Sequence, residues 1–126
     1  MRYLLLLKTE ENPGLGAPPQ ELMDAIARHG EAEAKSGRLL DTGGLAPTAM
    51  SARVRLAGGK LTTTDGPFTE AKEVIASYAM FDVGSQEEAI ELATTFMELH
   101  KIHWPGWEGE SEVRQVFGPA DFASDG

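Results

Sequence analysis

The sequence predicts an α+β domain in which two strand-helix-strand units share one antiparallel sheet, with a β-hairpin inserted between them. Three observations carry this reading. Apolar periodicity along the chain runs strand, helix, strand, hairpin, strand, helix, strand. Both helical stretches carry start or stop signals at their ends. The two runs expected at the sheet centre, residues 2–8 and 74–83, are apolar at odd and even positions alike.

Residues 2–8 are a Leu-rich run of strand length. Glu10, Glu11, Asn12, Pro13 and Gly14, on to Pro18 and Pro19, read as a loop. Pro19 suits a first helical turn, where its missing N–H costs nothing. Leu22, Met23, Ile26, Ala27, Gly30 and Ala34 then recur at helical spacing, and Gly37 is placed to end the helix in a left-handed cap. Residues 38–41 form a second strand that stops at Gly43 and Gly44. In residues 51–57, Ala52, Val54 and Leu56 alternate with Arg53 and Arg55. Gly58 and Gly59 are a two-residue hairpin turn, and residues 60–64 return. Residues 74–83 are the strongest strand. Ser85 with Glu88 has the capping-box form and opens a helix with Ala89, Ile90, Leu92, Ala93, Phe96 and Met97 on one stripe. Residues 112–117 make the last strand. Residues 1–119 are read as one domain and 120–126 as a frayed tail.

Without the hairpin this order is the ferredoxin-like split βαβ pattern. Two helices cover one face of such a sheet. Leu4, Leu6, Tyr78 and Met80 then lie on the other face and need a partner, and a second copy of the same sheet makes a homodimer. In the alternative, the Gly-rich loops and the hairpin fold over that face within one chain.

Composition narrows the function classes. The 126 residues fit one domain, and a 41% hydrophobic content excludes wholesale disorder. Eleven Lys and Arg against 20 Asp and Glu give a formal charge of -9. Such a chain repels nucleic acid and anionic membranes. The absence of cysteine excludes disulfides, thiolate zinc sites and cysteine nucleophiles. No apolar run approaches the roughly 20 residues of a membrane span, and the apolar run at residues 4–7 is too short for a signal peptide. The expected location is cytoplasmic.

The most distinctive segment is Thr64, Asp65, Gly66, Pro67, Phe68, Thr69, Glu70, Ala71, Lys72, Glu73. It resembles the signature of the DGPF group within the YCII-related domain family. The Leu-rich first strand, Gly37 to Leu40 with Leu45 and Pro47, residues 85–89, and residues 112–122 are also similar to that family. Two stretches depart from it. Ala76 and Ser77 precede Tyr78 where the family has glycine before the tyrosine, and residues 100–110, with both tryptophans, have no familiar counterpart. The resemblance implies a ferredoxin-like dimeric α+β barrel. It implies no assigned reaction: some relatives have been proposed as enzymes on the strength of a histidine and an aspartate, and some occur beside extracytoplasmic-function sigma factors.

The candidate site residues each have two readings. Asp65, Gly66, Pro67 and Phe68 form either a rigid turn, with the Asp65 carboxylate taking following N–H groups and Phe68 anchored in the core, or the rim of a pocket. Glu70 and Lys72 point the same way in an extended segment and are either a solvated pair or a means of fixing a carboxylate. His29, at the border of the first helix's apolar stripe, is a packing residue or, as the resemblance implies, an acid–base group. Arg114 is an anion clamp or neutralises neighbouring carboxylates. Tyr78 joins the ligand-binding candidates. His100 and His103 with Glu98 or Glu108 have the types for a metal but a weak spacing, and no metal or cofactor is expected. Trp104 and Trp107 are expected to cover the helix end or fill a dimer edge. Three functions remain open. One is a dimeric small-molecule binding domain, as a stress or regulatory accessory. The next is a cofactor-free isomerase, lyase or dehydratase using His29 and Asp65. The last is an interaction module.

Overall fold

In the computed structural model, which describes residues 1–68 and 72–122, the chain opens with strand β1 (Arg2–Thr9) and helix α1 (Gln20–Lys35). Strand β2 (Leu39–Gly44) follows, then the hairpin of β3 (Ala52–Ala57) and β4 (Lys60–Asp65). Strand β5 (Val74–Asp82), helix α2 (Gln86–His103) and strand β6 (Glu110–Val116) complete it. The architecture is α+β, with two helices and antiparallel sheets among the described residues. The main sheet has the order β2-β5-β1-β6, and β3 with β4 forms a separate two-stranded sheet.

The register explains why β1 and β5 carry apolar residues on both faces. Tyr3 faces Phe81, Leu5 faces Ala79 and Leu7 faces Ser77, on the side that carries the helices. Tyr3, Leu5, Leu7 and Phe81 are buried there. Leu4 opposite Met80 and Leu6 opposite Tyr78 occupy the other face, and all four are half-buried. That second face is more polar than its central strands suggest. Across β1, Leu4 meets Arg114 and Leu6 meets Glu112. Lys8 and Arg114 both reach Glu112, at 3.1 and 3.5 Å. The Tyr78 hydroxyl donates to Asp41 at 3.0 Å, and this carboxylate raises the phenol's pKa. An apolar centre therefore sits inside a charged rim.

Local signals set the element ends. Pro19 stands just before α1, where its carbonyl accepts the N–H groups of Leu22 and Met23, rather than within the first turn. Gly37 ends that helix with a φ of 83°. The Ser85 side chain accepts the Glu88 N–H at 3.2 Å, while the Glu88 carboxylate turns to the N–H of Gly84 instead of Ser85. Gly58 and Gly59 both take positive φ, as the tight hairpin turn requires. Every residue of β3 and β4 is exposed.

The core lies between the sheet and α2. Tyr3, Leu5, Phe81 and Val83 pack with Ala89, Leu92 and Ala93. Helix α1 buries only Leu22, Ala25 and Glu33. The last is satisfied by Arg38, whose guanidinium forks onto both Glu33 oxygens at 2.8 and 2.6 Å and reaches Glu88 at 3.1 Å. These bonds raise the Arg38 pKa and fasten the end of α1 to the start of α2. No helix among the described residues is long and apolar enough to cross a membrane.

Candidate functional site

Small side chains on α1 create a space. Where Ile26, Gly30 and Ala34 look toward the sheet, they do not reach Leu5 and Leu7 of β1 or Leu92 and Phe96 of α2. A cavity of about 430 Å³ remains between them. A Cβ added at Gly30 would meet no atom within 4 Å. His29, half-buried, stands on its wall, and β5 borders it through Ser77, Tyr78 and Ala79.

A second space of about 560 Å³ adjoins the first and shares Leu7, Ile26, Thr42, Ser77 and Phe96 with it. It runs toward the end of α2, where Glu10, Glu11, His100, Trp104 and Trp107 line it. His100 is only 4% exposed. Its Nδ1 lies 2.9 Å from the Phe96 carbonyl, which can only accept, so Nδ1 carries the proton and Nε2 keeps a lone pair. Burial pushes the imidazole pKa down, against a smaller opposing effect of the Phe96 bond. No described residue bonds Nε2, and that atom retains contact with open space. The Trp107 ring lies 4.4 Å from the imidazole, Phe96 meets it edge-on at 4.8 Å, and Trp104 stacks on Trp107 at 6.1 Å. The tryptophans thus cover the helix end around a histidine.

Glu11 is held in place from the loop after β2. Thr48 gives it both its hydroxyl, at 2.6 Å, and its N–H. These bonds lower the Glu11 pKa and keep it ionised. The same hydroxyl accepts the Phe68 N–H at 3.3 Å, and the Gly66 N–H reaches the Ser51 carbonyl at 2.8 Å. The Asp-Gly-Pro-Phe turn is therefore fastened by Thr48 and Ser51. Glycine is needed because a Cβ at Gly66 would overlap the Thr48 carbonyl. The Gly66-Pro67 bond is cis. Phe68 lies outside the core cluster, half-buried, with the Arg53 guanidinium 3.9 Å from its ring centre.

The sequence-derived candidates separate into groups. His29 and Tyr78 border the first cavity. The Tyr78 ring itself lies against Gly43, where a Cβ would come within 3.0 Å of it. Asp65, Gly66, Pro67 and Phe68 line neither space. Arg114, with its side chain 71% exposed, lies on the opposite sheet face beside Glu112. Lys72 is exposed, before β5. Glu70 lies outside the described residues. The sequence reading passed over Glu11 and gave His100 only a weak metal role. The signal for His100 was available: Leu92, Phe96 and His100 recur every fourth residue and so share the inward stripe of α2.

Comparison with known proteins agrees with the family resemblance. A profile described as the YCII-related domain matches residues 1–96. The matched stretch ends at Phe96, so His100, Trp104 and Trp107 lie beyond it. An uncharacterized protein, R00369, of Rhizobium meliloti (strain 1021) is 34% identical over 59 residues, covering 47% of this chain and 48% of that protein. The chain thus matches about half the length of this curated relative.

Proposed function

The chain belongs to the YCII-related domain family, and we propose that it serves as a small-molecule binding domain of the DGPF group whose ligand lies under α1. The observation that carries this reading is the 430 Å³ cavity beneath Gly30. Its size falls in the range of roughly 300–1,000 Å³ usual for ligand pockets, and its walls are mostly apolar with few polar groups, as such pockets usually are. His29 supplies a polar contact at the wall. Asp65 and Arg114 lie elsewhere, so binding accounts for this arrangement better than proton transfer between His29 and Asp65.

The neutral fluorescent probe phenylnaphthylamine tests the cavity. Its emission should rise and shift to the blue with the native protein. Gly30→Trp, which places an indole in the open space, should abolish that change while the melting temperature holds. Unchanged probe binding in Gly30→Trp would defeat the reading.

We further propose that the main sheet, of order β2-β5-β1-β6, is a ferredoxin-like split βαβ unit with the hairpin inserted, a reading that the element order supports. In this reading two such sheets stack through Leu4, Leu6 and Met80 and close a dimeric α+β barrel. An apolar centre within a charged rim is the usual anatomy of a specific interface, and burying the face would remove on the order of 1,000 Å² or more. Light scattering at micromolar concentration should give twice the 13.6 kDa chain mass. A monomer there would overturn the dimer.

A further inference from the structure

The two adjoining spaces differ in chemistry. Under α1 the walls include Leu5, Leu7, Ile26 and Leu92, with His29 beside them. At the end of α2 the ionic side chains are both carboxylates, Glu10 and Glu11. Among the described residues, neither lysine nor arginine lines either space. The cleft is therefore amphipathic, and its polar end is electronegative within a chain of formal charge -9.

The histidine adds an independent observation. The His100 residue is 4% exposed, its Nδ1–H is committed to the Phe96 carbonyl, and its Nε2, which no described residue bonds, is an accessible acceptor on a residue lining this second space. An acceptor that opens onto the cleft can take a donor from a ligand. Trp104 and Trp107 stand beside it, and aromatic faces attract cations but not anions. A carboxylate or phosphate head would meet two carboxylates and a lone pair. An ammonium would find complementary charge in Glu10 and Glu11 and an acceptor in Nε2.

We infer that the cleft selects a lipophilic amine, with its apolar body under Gly30 and its ammonium group between Nε2 of His100, Glu11 and Glu10. This rests on the cavity reading above and adds the class of ligand. Burial keeps the imidazole from taking a proton of its own, so it does not repel the cation. Thr48 keeps Glu11 ionised, so the negative charge is fixed rather than incidental. His100, Trp104 and Trp107 lie beyond the stretch matched by the family, and Glu10 and Glu11 lie within it.

A matched trio tests this by calorimetry near neutral pH: naphthylethylamine, naphthylethanol and naphthylacetate. The amine should bind at least about tenfold more tightly than the carboxylate, with the alcohol between them. Glu10→Gln and Glu11→Gln should each narrow the ratio of amine to carboxylate and leave alcohol affinity unchanged. The first alters an exposed side chain, so its folding is secure. His100→Phe, which keeps the ring packing, should weaken amine and alcohol together and leave the carboxylate alone. Equal or tighter carboxylate binding, or a ratio indifferent to both glutamate changes, would overturn the amine preference while the cavity reading stood. Alcohol binding unaffected by Gly30→Trp, or no binding by any of the three, would overturn the cavity reading itself.

Discussion

The two helices lie on the same sheet face and treat it in opposite ways. Helix α2 presses Ala89, Leu92 and Ala93 onto Tyr3, Leu5, Phe81 and Val83, leaving no side chain of that group more than 6% exposed. Helix α1 touches down at Leu22 and Ala25 near its start, and Arg38 holds it at its end through Glu33. Between those anchors it carries Ile26, Gly30 and Ala34 over open space. A helix fixed at both ends and thin in the middle is a roof, whereas its neighbour is a wall. One supplies stability, and the other makes room for a ligand.

Truncations on the two helices should therefore differ widely. Leu92→Ala removes a side chain that packs into the core cluster on one side and borders the cavity on the other, and should cost about 3 kcal/mol. Ile26→Ala removes one that already faces a cavity, and should cost less than about 1 kcal/mol because little packing is lost. Urea unfolding of both variants gives the comparison. Equal losses would mean that α1 is packed as tightly as α2, and the roof would not exist.

Much of the fold was legible because its signals are local. Gly37, Gly58 with Gly59, and Ser85 with Glu88 mark ends through backbone geometry and hydrogen bonds that a short sequence window contains. Apolar residues on both faces of β1 and β5 marked central strands, and the strand order bears that out. The site was harder to see. A cavity is an absence of atoms, and Gly30 and Ala34 read in sequence only as weak members of an apolar stripe. The motif was conspicuous but pointed to a fastening: Gly66 is glycine because of Thr48, eighteen positions earlier in the chain. Arg114 attracted attention as a cation in an acidic chain, yet the register of β6 puts it on the far face. Pairings at long range decide all three, and periodicity does not encode them.

His100 belongs to both regions, being on α2 but at the cavity's end, and its titration sharpens the contrast between them. Burial holds its folded pKa below the ordinary value of 6.5. Between those two values the unfolded chain binds a proton that the folded chain does not. Stability therefore rises with pH in that window, is complete above about 6.5, and falls as the solution is acidified through it. Glu11 and Glu88 act in the same direction but in a separate range, because their folded pKa values lie below 4.5. Acidification from about pH 7.5 to about pH 5.5 thus isolates the histidine from both carboxylates. The native urea midpoint should drop over that interval, and His100→Phe, which keeps a ring against Trp107, should reduce the drop. A native midpoint that stays flat would mean the imidazole takes its proton without penalty. Such a ring would be open to water rather than enclosed by Phe96 and Trp107, and the second space would lose its neutral acceptor.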